Sequence, residues 1–239
     1  QLQLAAQIGE EFIKDNNGQT LDLRKEAHIQ TAENFEKGKV ATHNRDVDYQ
    51  ERYDTWQAKF QRDDKGNIKT HTTRSGKIEN TIKKDAREFL DKNRPTGSKA
   101  KGTDMDHTIS AGEIIRDSRV NAFMNENQQY AFANSDINLN EMRSSVNRAK
   151  GSKSVPDYLD YPNSKGQYAK DNQNLSESEI KHMKEKYNHA KDDLDNKVNE
   201  AEKRAIKSGK KSRRDEALKI SGKALKAALL QLLSEFLRE

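Results

Sequence analysis

Asp104-Met105-Asp106-His107-Thr108-Ile109-Ser110 and, further along, Asn138-Leu139-Asn140-Glu141-Met142-Arg143-Ser144-Ser145-Val146-Asn147-Arg148-Ala149-Lys150-Gly151 are the stretches on which the reading of this 239-residue chain turns. They set a carboxylate beside an imidazole, then an amide, then a second amide followed by two cations and a glycine. These residue types suit phosphodiester cleavage. That reaction needs an activated water, neutralisation of charge on the phosphate and stabilisation of the leaving oxygen. An imidazole can take the water's proton near neutral pH. A hard divalent cation held by oxygen ligands can stabilise the leaving oxygen and clamp the phosphate. Met142–Lys153 carries four basic residues and no acid, as a surface for a polyanion would.

Taken in this order, the motifs resemble the HNH (ββα-metal) endonuclease family. The family's pattern is an Asp-His pair ending one strand, an Asn-Leu pair opening a second, and an Asn or His in a short helix followed by basic residues and Gly. The match covers roughly a fifth of the chain. The resemblance implies that His107 is the general base, that Asp106 and Asn147 are the metal ligands, and that Asn138 is a structural residue tying down the long loop after His107. It places Arg148 and Lys150 at the substrate phosphates. Adjacent residues of a regular strand point to opposite faces. The family resolves this by ending the strand at the pair, leaving the backbone free to turn. Many relatives hold a structural zinc with Cys pairs. Here Ser144 and Ser145 fall near those positions and the chain has no Cys, so no structural zinc is expected. Oxygen ligands point to Mg²⁺ or Mn²⁺ instead. The resemblance places a strand ending near His107, a second near Leu139–Met142 and a helix from about Ser145.

Outside this region the chain is polar. Hydrophobic residues make up 31% and charged residues 35%, against roughly 25% charged in an average domain, with a net charge of +5. That is too little apolar material for one large core. The expected fold is mainly α with a small ββα-metal unit (α+β) and long helices flanking it. Residues 1–94 read as an N-terminal helical and hairpin region: a helix to about Lys14, a hairpin from Thr55–Gln61 and Asn67–Thr73 around Asp63–Gly66, and a helix through Ile78, Ile82, Ala86, Phe89 and Leu90. Residues 95–103 read as a linker, 104–154 as the nuclease-like core, with an inserted helix over Glu113–Asn125, and 155–175 as an extended arm. In 176–239, a capping box at Ser176 and Glu179 opens a helix whose seam runs Ile180, Met183, Tyr187, Ala190, Leu194, Val198, Ala201 and Ala205, a spacing of coiled-coil type. Lys207–Arg214, broken by Gly209, reads as a solvated linker. A last helix carries Leu218, Leu225, Leu229, Leu232, Leu233 and Phe236.

No apolar run is long enough to span a membrane and no basic-then-apolar leader opens the chain, so the expected location is cytoplasmic. The same motif serves phage, mobile-element and secreted-toxin nucleases. The chain opens on Gln1, which reads as a processed product or a fragment. The expected partners are nucleic acid, DNA before RNA, and a second subunit or copy held through 176–239. The competing reading is a non-catalytic structural or assembly protein that joins a larger complex through its C-terminal helices.

Overall fold

A computed structural model describes residues 26–27, 29–41, 46–92 and 101–236. The helix expected before Lys14 and most of the 95–103 linker lie outside the described residues. Helices dominate, with two antiparallel strand pairs and one short parallel pair among the described residues. The chain is thus mainly α. No helix among the described residues is long and apolar enough to cross a membrane. The fold divides into two compact units: the described residues up to Gln50 together with those from Arg204 onward, and Glu51–Lys203.

In the first unit, β1 (Glu26–Ala27) and β2 (Val40–Ala41) pair in parallel around the short helix α1 (Ala32–Glu36). Thr31 caps α1 by accepting from the Asn34 amide, and Phe35 is fully buried. The buried Gln30 ties the connection, its Oε1 accepting from the Ala41 amide at 2.8 Å.

In the second unit the aromatic group Tyr53, Trp56 and Phe60 decides local structure differently from the expected hairpin. α2 (Tyr49–Ala58) takes up Thr55–Ala58, because three-residue spacing puts Tyr53 and Trp56 on one helical side, while Phe60 lies beyond the helix and bridges to Ile82. Trp56 packs edge-on against both Tyr53 and Phe60, and its ring N–H donates to the Ile115 carbonyl at 2.8 Å. The turn at Asp63–Gly66 does form, but its flanks meet only at the bridge Arg62↔Ile68. The regular hairpin lies one step later, β3 (Thr70–Thr72) against β4 (Ile78–Asn80). Ile78 is therefore in a strand and 70% exposed, and the helix expected from it, α3, begins at Lys84 and ends at Asp91.

β5 (Thr103–His107) and β6 (Leu139–Arg143) form the second antiparallel pair. Between them run three short helices, α4 (Ala111–Arg116), α5 (Ser118–Phe123) and α6 (Glu126–Ala133), where one inserted helix was expected. Each starts at its own cap: Ser110 and Asn125 with full capping boxes, Asp117 by accepting from the Arg119 and Val120 amides. α7 (Ser144–Lys150) follows β6 directly. The expected extended arm is instead α8 (Val155–Asp160), with Pro156 in its first turn, and α9 (Ala169–Asn172). Proline fits the first turn of a helix, where its missing N–H costs nothing.

The expected pair of C-terminal helices is one helix, α10 (Glu177–Phe236), of 60 residues. Ser176 and Glu179 exchange backbone bonds at its start. Gly209 does not interrupt it: an interior glycine costs about 1 kcal/mol relative to alanine, too little to break a long helix. Met183, Ala190, Leu194 and Val198 of the seam are buried. Met183 joins Val146, Val155, Tyr158, Leu159, Ala169 and Leu175 in a cluster against which Ile180 and Tyr187 pack. This part of the seam, expected to need another subunit, is covered by the chain's own core.

Candidate functional site

The register of β5 on β6 sets Asp106 opposite Asn140 and His107 opposite Leu139, and the ladder continues as the Thr108 amide donates to the Asn138 carbonyl at 2.8 Å. A ladder regular to its end sends neighbouring side chains to opposite faces. β5 ends at His107 and the backbone bends at Thr108–Ile109, as expected, but the pairing is regular through His107, so the two side chains enter different surroundings.

On the first face, the Lys150 ammonium lies 3.2 Å from the Asp106 carboxylate and donates to the His107 carbonyl at 3.1 Å. Lys150 is 0% exposed and Asp106 is 2% exposed. Two opposite charges out of water hold only because each neutralises the other. α7 makes this contact possible by leaving β6 without a loop and carrying Lys150 in its last turn. Gly151, at φ 54°, ends the helix in the left-handed region that favours glycine. Lys150, expected at the substrate phosphates, is thus an interior partner of Asp106. Arg148 remains exposed on α7, and Asn147 is half-buried one turn before Lys150. Positions three apart share a helical face, so Asn147 lies on the side of α7 that Lys150 turns towards Asp106. His182 of α10 reaches the same strands: its Nε2 lies 3.1 Å from Oδ1 of Asn140.

On the second face, His107 is 3% exposed and not the partly exposed base that its expected role suggested. Its Nδ1 is 3.3 Å from the Asp91 carboxylate at the end of α3, and its Nε2 is 3.2 Å from Oδ1 of Asn134. Asn134 is itself fixed, donating to the Tyr130 carbonyl at 3.0 Å and the Leu90 carbonyl at 3.3 Å. Nε2 is thus at hydrogen-bond distance from the Asn134 amide oxygen, while the buried Nδ1 makes no hydrogen bond among the described residues and has the Asp91 carboxylate close by.

Asn138 is fully buried and its amide is fully used. Oδ1 accepts from the Ile109 amide at 2.7 Å, while Nδ2 donates to the carbonyls of Ile109 at 3.2 Å and Ala133 at 3.0 Å. The two ends of the α4–α6 insertion are thereby stitched together next to His107. Near Lys150 lies a further, half-buried acid. Glu113 accepts from the Ser110 amide at 3.0 Å and from the Tyr187 hydroxyl at 2.8 Å. Burial pushes its carboxyl above the usual range, although these bonds and the Lys150 charge pull it down. Burial, and then Glu113 itself, raise the Tyr187 phenol.

Among the described residues no three His, Cys, Asp or Glu side chains converge to hold an ion. The group set against Asp106 is the Lys150 ammonium, and Asn147, whose amide carries an oxygen, lies one turn earlier on α7. Sequence reasoning missed Asp91, Asn134, Glu113, Tyr187 and His182, which reach the site from α3, α4, the end of α6 and α10. Nothing in their local sequence marks them, because long-range packing alone brings them in. No family model matches this chain, and no curated protein and no solved structure matches it either.

Proposed function

We propose that the chain is a divalent-metal-dependent endonuclease of HNH type, hydrolysing phosphodiester bonds in nucleic acid, DNA before RNA, in a cytoplasmic setting. The observation that carries this reading is the Asn138 clamp. A fully buried amide spends all its bonds on the backbone just after His107, which is the arrangement that keeps a general base oriented. The strand–strand–helix order of β5, β6 and α7, with Asp106, His107 and Asn147 on those elements, supports it too.

In this reading His107, with its ring proton moved to Nδ1 on the Asp91 side, takes the proton of the attacking water through Nε2 in place of its contact with Asn134, and the nearby Asp91 carboxylate balances the charge that develops. Asp106 and Asn147 are the ion's protein ligands, and their oxygens suit Mg²⁺ or Mn²⁺. When bound, such an ion would stabilise the leaving oxygen. The Lys150 ammonium already lies against Asp106 and has to give way to it. Arg148, exposed on the same helix, meets a substrate phosphate. A plasmid-nicking assay with Mg²⁺ or Mn²⁺ and with EDTA tests the proposal. Nicking that requires the ion is expected; no nicking with any divalent ion, or nicking unaffected by EDTA, contradicts it.

A second reading, a structural or assembly protein, is favoured by one set of observations. Asp106 and His107 are buried and already paired, as in a polar core, while Leu218, Leu225 and Leu229 stand 61%, 68% and 55% exposed along α10. Light scattering on the wild type and Leu225→Lys/Leu229→Lys separates it from a monomeric nuclease. Assembly predicts a larger mass that the substitutions lower, and a monomeric wild type removes that reading.

A further inference from the structure

We infer that the face of α10 formed by Lys207, Lys210, Lys211 and Arg214 is a phosphate-backbone binding surface for double-stranded nucleic acid. These four positions recur at the three- and four-residue steps that line up on one side of a helix. All four are exposed, while Ala205 and Gly209, on the other side, are buried. The helix thus turns its small residues inward and this row outward. From Lys203 to Arg214 the chain has no acidic residue.

Four cations in the earlier part of the same helix are paired. There Lys181 pairs with Glu185 at 3.8 Å, Lys184 with Asp160 at 2.9 Å, Lys191 with Asp195 at 3.2 Å and Lys197 with Asp193 at 2.5 Å. None of Lys207, Lys210, Lys211 and Arg214 has an ion-pair partner among the described residues. Like charges three and four residues apart oppose the helix that carries them. A bound polyanion relieves that repulsion.

A duplex fits this row better than a lipid surface does. An interfacial helix needs an apolar face to insert. Between Arg204 and Arg214 the large apolar side chain is Ile206, which is half-buried, and no large exposed one occurs. The row is about 10 Å long at the rise of an α-helix. A duplex offers a phosphate charge about every 1.7 Å of its axis, so there are phosphates enough along the row for all four cations.

The inference takes nucleic acid as the ligand from the functional reading above, but it concerns binding alone. The test is fluorescence anisotropy with a labelled duplex DNA in EDTA, over a series of salt concentrations. It compares the wild type with Lys207→Gln/Lys210→Gln/Lys211→Gln/Arg214→Gln, since glutamine keeps helix propensity while removing charge. The control variant removes the same charge from Lys181, Lys184, Lys191 and Lys197, and circular dichroism checks that all three proteins are folded. The row variant is expected to bind more weakly, and the slope of log affinity against log salt is expected to fall by about three to four, from about 0.9 per phosphate contact. The control is expected to keep most of the wild-type slope. Equal slopes in wild type and row variant overturn the inference. So does an equal loss in the control, which would mean that overall charge suffices. So does a wild type that ignores the duplex and binds vesicles of phosphatidylserine and phosphatidylcholine. A chain that nicks plasmid with Mg²⁺ while the row variant binds as the wild type does loses this surface alone. A chain whose row binds DNA but which never nicks it loses the nuclease reading alone.

Discussion

Lys150 and Asp106 form the buried charge pair on which the rest of the site rests. Breaking a buried ion pair by removing one partner costs about 3–5 kcal/mol. Lys150→Met is therefore expected to lower unfolding stability by that amount in urea titration, and a loss under 1 kcal/mol would mean that the pair is not buried as described. His107 contributes to packing as well as to chemistry, because Asp91 and Asn134 both face it. His107→Ala is expected to cost about 1–3 kcal/mol by removing a buried side chain and taking the ring partner from the Asn134 amide oxygen. Glu113 supplies a pH signature. Burial raises its carboxyl above the usual 4.5, so the folded state holds the proton more tightly than the unfolded state does. Stability then falls as pH rises from about 4.5 and levels off once the folded carboxyl has ionised. Glu113→Gln keeps an acceptor for Tyr187 and has no proton to lose. Urea titrations should find the variant gaining on the wild type between pH 4 and pH 7, and a difference that does not change with pH would contradict this account of Glu113.

At the scale of elements, the sequence marked those whose local signals agree with their packing. The Ser176–Glu179 box starts α10, Gly151 closes α7, and β5 and β6 lie where the Asp-His and Asn-Leu pairs put them. It misled where a local pattern had two solutions. Tyr53, Trp56 and Phe60 fit a strand as an aromatic cluster and a helix by spacing, and the reach of the Trp56 ring to Ile115 selects the helix. Ile78 and Ile82 share helical spacing with Ala86, yet they lie in strand pairings, Ile78 with Thr72 and Ile82 with Phe60. Glycine was over-read as a breaker at Gly209. Two substitutions separate glycine's roles. At Gly222 of α10 an added Cβ meets nothing within 4 Å, so Gly222→Ala should stabilise the helix by about 0.8–1 kcal/mol. At Gly151 the backbone has φ 54°, and Gly151→Ala should destabilise by about 1 kcal/mol although the added Cβ would meet only the Arg148 carbonyl, at an ordinary 3.8 Å. Thermal melts of both variants check the opposite signs.

For the whole molecule, the expected mainly helical class is what the structure shows, and its described residues fall in two units. The candidate site was legible in the motif residues but not in their surroundings. Asp91, Asn134 and Tyr187 lie far along the chain from His107 and Glu113 and meet them only through the packing of α3, α6 and α10. The burial of Lys150 was not legible either, since a lysine in a basic run reads as exposed until the turn of α7 is known. The central claim, that His107 is the base of a metal-dependent nuclease, is tested most directly by single-turnover cleavage of a DNA duplex with Mn²⁺. Wild type and His107→Ala are compared at a temperature where both are folded. A slowing of about 10²–10⁴-fold, the usual contribution of a positioned base, is the predicted result. Cleavage by His107→Ala at the wild-type rate would contradict the account.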